Sequence, residues 1–176
     1  FCKMNLSPVL LKGQAFAANY AHPLHRQCGD IDVYFKNRKD CETAVAWAAK
    51  VDKSAAVSLE NKRERKHFTF SIGSNVVELH YYMCLFENSW LHQRLQQIID
   101  EEFAYSKPFF VEIEGEQIET VPPTLSALHQ IIHISRHLLE AGIGLRQICD
   151  LAMFLDKHHD VIDKERLNGY LEELQL

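Results

Sequence analysis

The sequence predicts an α+β fold: strands with interleaved helices in the first half, then a mainly helical second half. Three observations carry this expectation. Residues 29–35 and 67–72 alternate apolar and polar positions with the period of two that marks strands. Helical spacing takes over near Phe86 and runs to the end of the chain. A single short hairpin pattern, 109–121, interrupts those helices. The change of character divides the chain into a mixed-sheet core, residues 1–86, and a mainly helical lobe, residues 87–176. No Gly/Ser/Pro linker separates the two, so tight packing between them is expected.

Residues 7–11 (SPVLL) are an apolar run ending at Lys12-Gly13, suited to a buried strand that delivers the chain to a turn. Residues 14–21 (QAFAANYA) then read as a helix stopped before Pro23. Within 29–35 (GDIDVYF), Ile31, Val33 and Phe35 share one face, and Asp30, Asp32 and Tyr34 the other. An Ala-rich helix spans 41–51, with its start expected near Asp40. The basic stretch 61–66 (NKRERK) reads as a solvated loop, with a grip on an anionic substrate as the alternative. Phe68, Phe70 and Ile72 are expected to point inward from strand 67–72, and Gly73-Ser74 turns the chain into a partner strand, 75–82. There Val77, Leu79 and Tyr81 point inward, while Val76, Glu78, His80 and Tyr82 take the face of the aspartates.

In the second half, 90–103 has helical periodicity, and 109–113 and 117–121 flank the turn Glu114-Gly115-Glu116. Pro122-Pro123 marks a break, Thr124 is the expected cap of a helix 125–141, and Gly142 and Gly144 end it. A helix over 145–159 and another from Asp163 onward complete the chain, and Trp47 and Trp90 read as core residues.

Composition bounds the function. With 47% hydrophobic residues, 176 residues can build one core or two small lobes. No stretch approaches the roughly 20 apolar residues of a membrane span. The sequence opens on Phe1, leaving anything upstream open, and shows no basic-then-apolar leader. Five cysteines without a C-x-x-C pair point to free thiols in a reducing cytoplasm. A net charge of −5 does not indicate a nucleic-acid-wrapping protein, a local basic groove aside. Ser7, Ser71 and Ser74 lack a nucleophile-elbow context, and Cys28 near His25 lacks a third group, which argues against a serine or thiol hydrolase.

The chemistry concentrates at Gly29-Asp30-Ile31-Asp32. Two aspartates two apart on a strand project from one face, and their carboxylates can converge on a hard cation such as Mg²⁺. Glu78, on a strand of matching polarity, offers a third carboxylate of the kind that two-metal phosphoryl chemistry uses. Lys12-Gly13, between a strand and a helix start, makes an anion cradle.

The ordered set is more specific than any piece of it. Residues 10–15 (LLKGQA), Arg26 through Val33 (RQCGDIDV) and 77–80 (VELH) resemble the uncharacterised bacterial nucleotidyltransferases of the polymerase-β-like superfamily. The resemblance continues through His129–His137, Gly144-Leu145-Arg146 and Asp150-Leu151, and so covers most of the chain. It implies a polymerase-β-like core followed by the helical lobe. It also implies transfer of a nucleoside monophosphate from a nucleoside triphosphate to an unidentified hydroxyl acceptor, a small molecule or a macromolecule, with release of pyrophosphate. Carried over by position, Asp30, Asp32 and Glu78 are the catalytic and metal-binding carboxylates for Mg²⁺ or Mn²⁺. Lys12, Gly13, Arg26 and Gly29 form the nucleotide site, although Arg26 serves equally well as an ion pair steadying its loop. Gln14 stands where relatives carry a second small residue after the glycine, and it favours the alternative of a catalytically silent binding or regulatory module.

His129, His133 and His137 form an i, i+4 stripe. Gln130 replaces the glutamate that the metalloprotease signature H-E-x-x-H requires. A zinc site, a phosphate or substrate role for His133 and His137 with Arg136 or Arg146, and plain lobe packing all remain open for it. His80 is a supporting or structural candidate. Asp150, four residues after Arg146, is expected to pair with it at the helix surface or lobe interface.

Overall fold

Six strands form one mixed sheet in the computed structural model, which describes residues 1–52, 66–140 and 142–176. The elements run β1 (Pro8–Leu10), α1 (Gln14–Ala17), β2 (Ile31–Phe35), α2 (Arg38–Val51), β3 (His67–Ile72), β4 (Asn75–His80), α3 (Ser89–Tyr105), β5 (Phe109–Ile113), β6 (Glu116–Thr120), α4 (Pro123–Glu140), α5 (Leu145–His158) and α6 (Lys164–Glu173). The strand order is β3-β4-β2-β1-β6-β5. β2 runs parallel to β4 and antiparallel to β1, while β6 joins β1 in parallel at Leu10–Thr120. Strands from both sides of Phe86 therefore share one sheet, and the fold is α+β as the sequence predicts.

Both faces of the sheet are covered. α2 lays Ala44, Val45 and Ala48 against Val33, Phe35, Phe68, Phe70, Val77 and Leu79. On the other face α3, α4, α5 and α6 pack over Val9, Leu11 and Tyr34. Tyr34, on the aspartate side of β2, is consequently core, stacked on Phe103 at 6.0 Å between ring centroids. The aspartate face is thus polar only toward its C-terminal-lobe cleft, and apolar one step further along the strand.

The helix starts follow their caps. Asn37 Oδ1 accepts from the Lys39 amide and starts α2 slightly ahead of Asp40. Asn88 Oδ1 accepts from Trp90 and Leu91 to start α3. α4 begins at Pro123 itself, a residue whose missing N–H is harmless in a first turn. Thr124 is therefore not its cap: its buried Oγ1 accepts from the Asp163 amide and fixes the start of α6.

Three further expectations change. α1 is a single turn, because the Asn19 and Tyr20 amides bond carbonyls three residues back, at Phe16 and Ala17, and the chain bends away. Ile72 is 48% exposed at the hairpin end, and Trp90 is 60% exposed in the first turn of α3, where no other element among the described residues covers it. Trp47, partly buried, does pack edge-on against Phe1 and Phe70. The basic residues 61–65 and the expected helix end at residue 141 lie outside the described residues.

Candidate active site

Strand register assembles the site. In the parallel pair β2–β4, Asp32 lies opposite Glu78 and Tyr34 opposite His80, and in the antiparallel pair β3–β4, His67 lies opposite His80. Neighbours across a ladder stand within side-chain reach, so three strands bring Asp32, Glu78, His80 and His67 together. Asp32 is 4% exposed. Its Oδ1 meets His80 Nε2 at 2.8 Å and Lys12 Nζ at 3.2 Å. Burial alone would raise its pKa, but the His80 hydrogen bond and the Lys12 charge outweigh it and hold the carboxyl down at about 2. Glu78 meets His80 Nε2 at 3.3 Å and His67 Nε2 at 3.4 Å. The His80 hydrogen bond lowers its pKa against the opposing effect of burial, with His67 assisting. Both carboxylates are therefore ionised at neutral pH.

A cleft of about 160 Å³ opens beside this cluster. Lys12, Gly13, Arg26, Gly29, Asp30 and Asp32 line one wall, and Gln130 and His133 of α4 with Arg146, Gln147 and Asp150 of α5 line the other. Asp30 is exposed, just ahead of β2. Gly13 adopts φ +64, and a Cβ there would stand 3.4 Å from the Asp30 carbonyl oxygen, so the turn and the aspartate loop meet at backbone distance. Because α1 has only one turn, the charge at this corner comes from Lys12 rather than from a helix dipole.

Glu78 and His80 sit behind Asp32, and His137 packs edge-on against His133 at 4.4 Å between ring centroids. Among the described residues, the His/Cys/Asp/Glu donor atoms gathered within 4.8 Å of one another are those of His67, Glu78 and His80. Neither the triplet Asp30, Asp32 and Glu78 nor the histidine stripe forms such a group. Each buried carboxylate instead takes a basic side chain as partner.

The lobe contacts differ from the sequence reading at Asp150. It is buried and pairs with Arg26, not Arg146: Arg26 Nε and Nη2 donate to its two oxygens at 2.8 and 2.6 Å, and Tyr20 donates its hydroxyl at 2.8 Å. Arg146 instead donates Nη1 to the Gln27 carbonyl at 3.2 Å. A side chain projecting inward from α5 reaches the Arg26 loop more directly than its own i−4 neighbour.

The α4 stripe faces Lys12. Burial, with Lys12 and His133 next, holds His129 neutral well below the usual histidine range. Burial and Lys12 likewise push His133 down to about 4. Lys66, also lowered by burial and by Lys12, adds a cation that a solvated-loop reading of its segment does not anticipate. His67 was missed too. Its only signal is position: it opens the strand that pairs with the Glu78–His80 strand.

A mixed sheet with paired aspartates at a cleft under a helical lobe defines a nucleotidyltransferase-type fold. The chain belongs to the family of uncharacterised nucleotidyltransferases, whose family model matches residues 1–176. Among solved structures, it resembles the antibiotic-resistance factor ANT(2'')-Ia with a TM-score of 0.56 at 12% identity, over 99% of this chain and 84% of that one. An antigenic nucleotidyltransferase-like protein from Paracoccidioides brasiliensis aligns with a TM-score of 0.50 at 14% identity, over 98% of this chain and 81% of that one. No curated protein matches the chain in sequence. No helix among the described residues is long and apolar enough to cross a membrane.

Proposed function

We propose that the protein transfers a nucleoside monophosphate from a nucleoside triphosphate to a hydroxyl acceptor, releasing pyrophosphate, with Mg²⁺ or Mn²⁺. The observation that carries this reading is the cleft itself, where an aspartate pair, Lys12 and a glycine turn share one wall opposite His133 and Arg146. The donor set fits a hard divalent ion, since Asp32 and Glu78 are held ionised by their neighbours and Asp30 stands open to the cleft. When bound by Asp30 and Asp32, with Glu78 beside them, the ion supplies charge neutralisation for the triphosphate and the leaving pyrophosphate.

The chain's own residues do the rest. Lys12 offers its ammonium to phosphate oxygens and Gly13 lets the turn approach them, while Arg26 and Gly29 shape the adjoining loop. Arg146 and His133 face the same space from the helical lobe, with His137 and His80 supporting from behind. In the reaction the acceptor oxygen forms its bond to the α-phosphorus as the bond to the bridging oxygen toward the β-phosphorus breaks, and the hydroxyl proton passes to a carboxylate oxygen of the Asp30–Asp32 pair that lines the cleft. A carboxylate with a lowered pKa is a weak base, so most of the rate enhancement falls to positioning and electrostatics.

The experiment is the thermal melting shift with Mg²⁺ or Mn²⁺, alone and with each of the four nucleoside triphosphates, alongside Asp30→Asn/Asp32→Asn. A metal-dependent shift with at least one triphosphate, lost in the double variant, is the expected result. No shift under any condition would favour the catalytically silent binding module, for which Gln14 at the turn is the supporting feature.

A further inference from the structure

We propose that His67, Glu78 and His80 form a binding site for a borderline divalent ion of the zinc class, separate in donor chemistry from the all-oxygen Asp30–Asp32 pair. The backbone alone sets up the cluster. Glu78 and His80 are two apart on β4 and share a face, and His67 is the direct cross-strand partner of His80. One donor atom from each residue lies within 4.8 Å of the other two.

The spacing is that of ligands around a small ion. Metal–ligand bonds of about 2.0–2.1 Å in a tetrahedron put donor atoms about 3.3 Å apart. His80 Nε2 stands 3.3 Å from Glu78 Oε2, and His67 Nε2 stands 3.4 Å from Glu78 Oε1. Asp32 Oδ1, 2.8 Å from His80 Nε2, lies outside this three-residue group and neighbours it through His80. His80 Nε2 faces two carboxylates, Asp32 and Glu78, so the nitrogen that would ligate an ion already stands in a field that favours positive charge.

Donor type then selects the ion. Two imidazole nitrogens suit Zn²⁺, Co²⁺ and their neighbours, whereas Mg²⁺ takes oxygen ligands and keeps much of its water. Access is partial and sufficient: the His67 and Glu78 side chains are 23% and 17% exposed, while His80, at 1%, is the fixed wall. Glu78 is common to this site and to the catalytic carboxylates, so an ion here stands at the edge of the cleft. The inference does not rest on nucleotidyl transfer, because it uses only strand register and donor geometry.

Co²⁺ is the probe, since its visible absorption reports imidazole ligation at low coordination number. The full chain, free of any histidine tag, is titrated with Co²⁺ and then with Zn²⁺. The expected result is a saturable visible band at micromolar Co²⁺ that Zn²⁺ displaces. His67→Ala is expected to lose the band and to weaken Zn²⁺ binding by more than about tenfold, the least that losing even a supporting partner costs a metal site. Circular dichroism checks its fold, and His67→Gln serves as a second, better-matched variant. Asp30→Asn is expected to keep the band, although it abolishes any Mg²⁺-dependent triphosphate shift. No band in the wild type, a band that survives in both His67 variants, or a band lost in Asp30→Asn would each overturn the proposal.

Discussion

At Asp32 and Asp30 the same residue type meets opposite surroundings two positions apart. Asp32 is buried against Lys12 and His80, whereas Asp30 is exposed in the cleft. The histidines across the cleft respond to burial in the opposite sense. His129 and His133 are held neutral by desolvation, with Lys12 the next contributor and His137 and Lys66 also facing His133. An ordinary histidine pKa of about 6.5 in the unfolded chain against about 4 for His133 in the fold means that the unfolded state takes up the proton first. The stability from the neutral ring is therefore complete above the unfolded value and is lost as pH falls from about 6.5 toward 4. Thermal melts from pH 7 to pH 4.5 should fall steeply, and His133→Gln should flatten part of that fall, by up to about 3 kcal/mol less what solvent reaching the ring removes.

At the scale of elements, α5 is tied to the Arg26 loop by one buried ion pair. The two side chains, 8% and 4% exposed, make a two-pronged contact that Tyr20 completes. Removing one charge strands the other in a desolvated place, a loss of about 3–5 kcal/mol, while replacing both by apolar residues can be nearly neutral. Urea unfolding of Asp150→Ala should show that loss, and Arg26→Met/Asp150→Leu should recover most of it. A loss under about 1 kcal/mol for the single variant would mean that water reaches the pair and that the loop is held by other contacts. A second buried charge works in the same way between α3 and α6, where Glu102 accepts from Arg166 at 2.8 Å and from Tyr170 at 3.0 Å.

For the whole molecule, the shared sheet decides how the chain unfolds. The β5–β6 hairpin is fastened to β1 through the Leu10–Thr120 pairing and the 2.6 Å hydrogen bond from Thr120 Oγ1 to the Leu10 carbonyl. One apolar cluster also spans Val9 and Leu11 from the first half and Leu128 and Leu174 from the second. Calorimetry should therefore give a single transition whose van't Hoff and calorimetric enthalpies agree. Thr120→Val should lower that one transition as a unit, by about 1–2 kcal/mol. Two resolved transitions would show that the halves unfold independently.

The sequence by itself determined the fold class, the order of the main strands and helices, and the placing of Asp32 and Glu78 on one side of their strands. Those follow from period, caps and turn residues, which act over a few positions and can be read locally. The tertiary structure alone decided which charges meet. Arg26 and Asp150 are 124 residues apart, Glu102 and Tyr170 are 68 apart, and no local pattern couples either pair. The same holds for His67, an unremarked strand opener until register sets it opposite His80. It holds too for Tyr34 and Trp90, since burial depends on which helix covers a face and where that helix ends. Local chemistry selects each element, but desolvation and Coulomb contact depend on distance in space, and only the folded sheet and its two helical layers fix those distances.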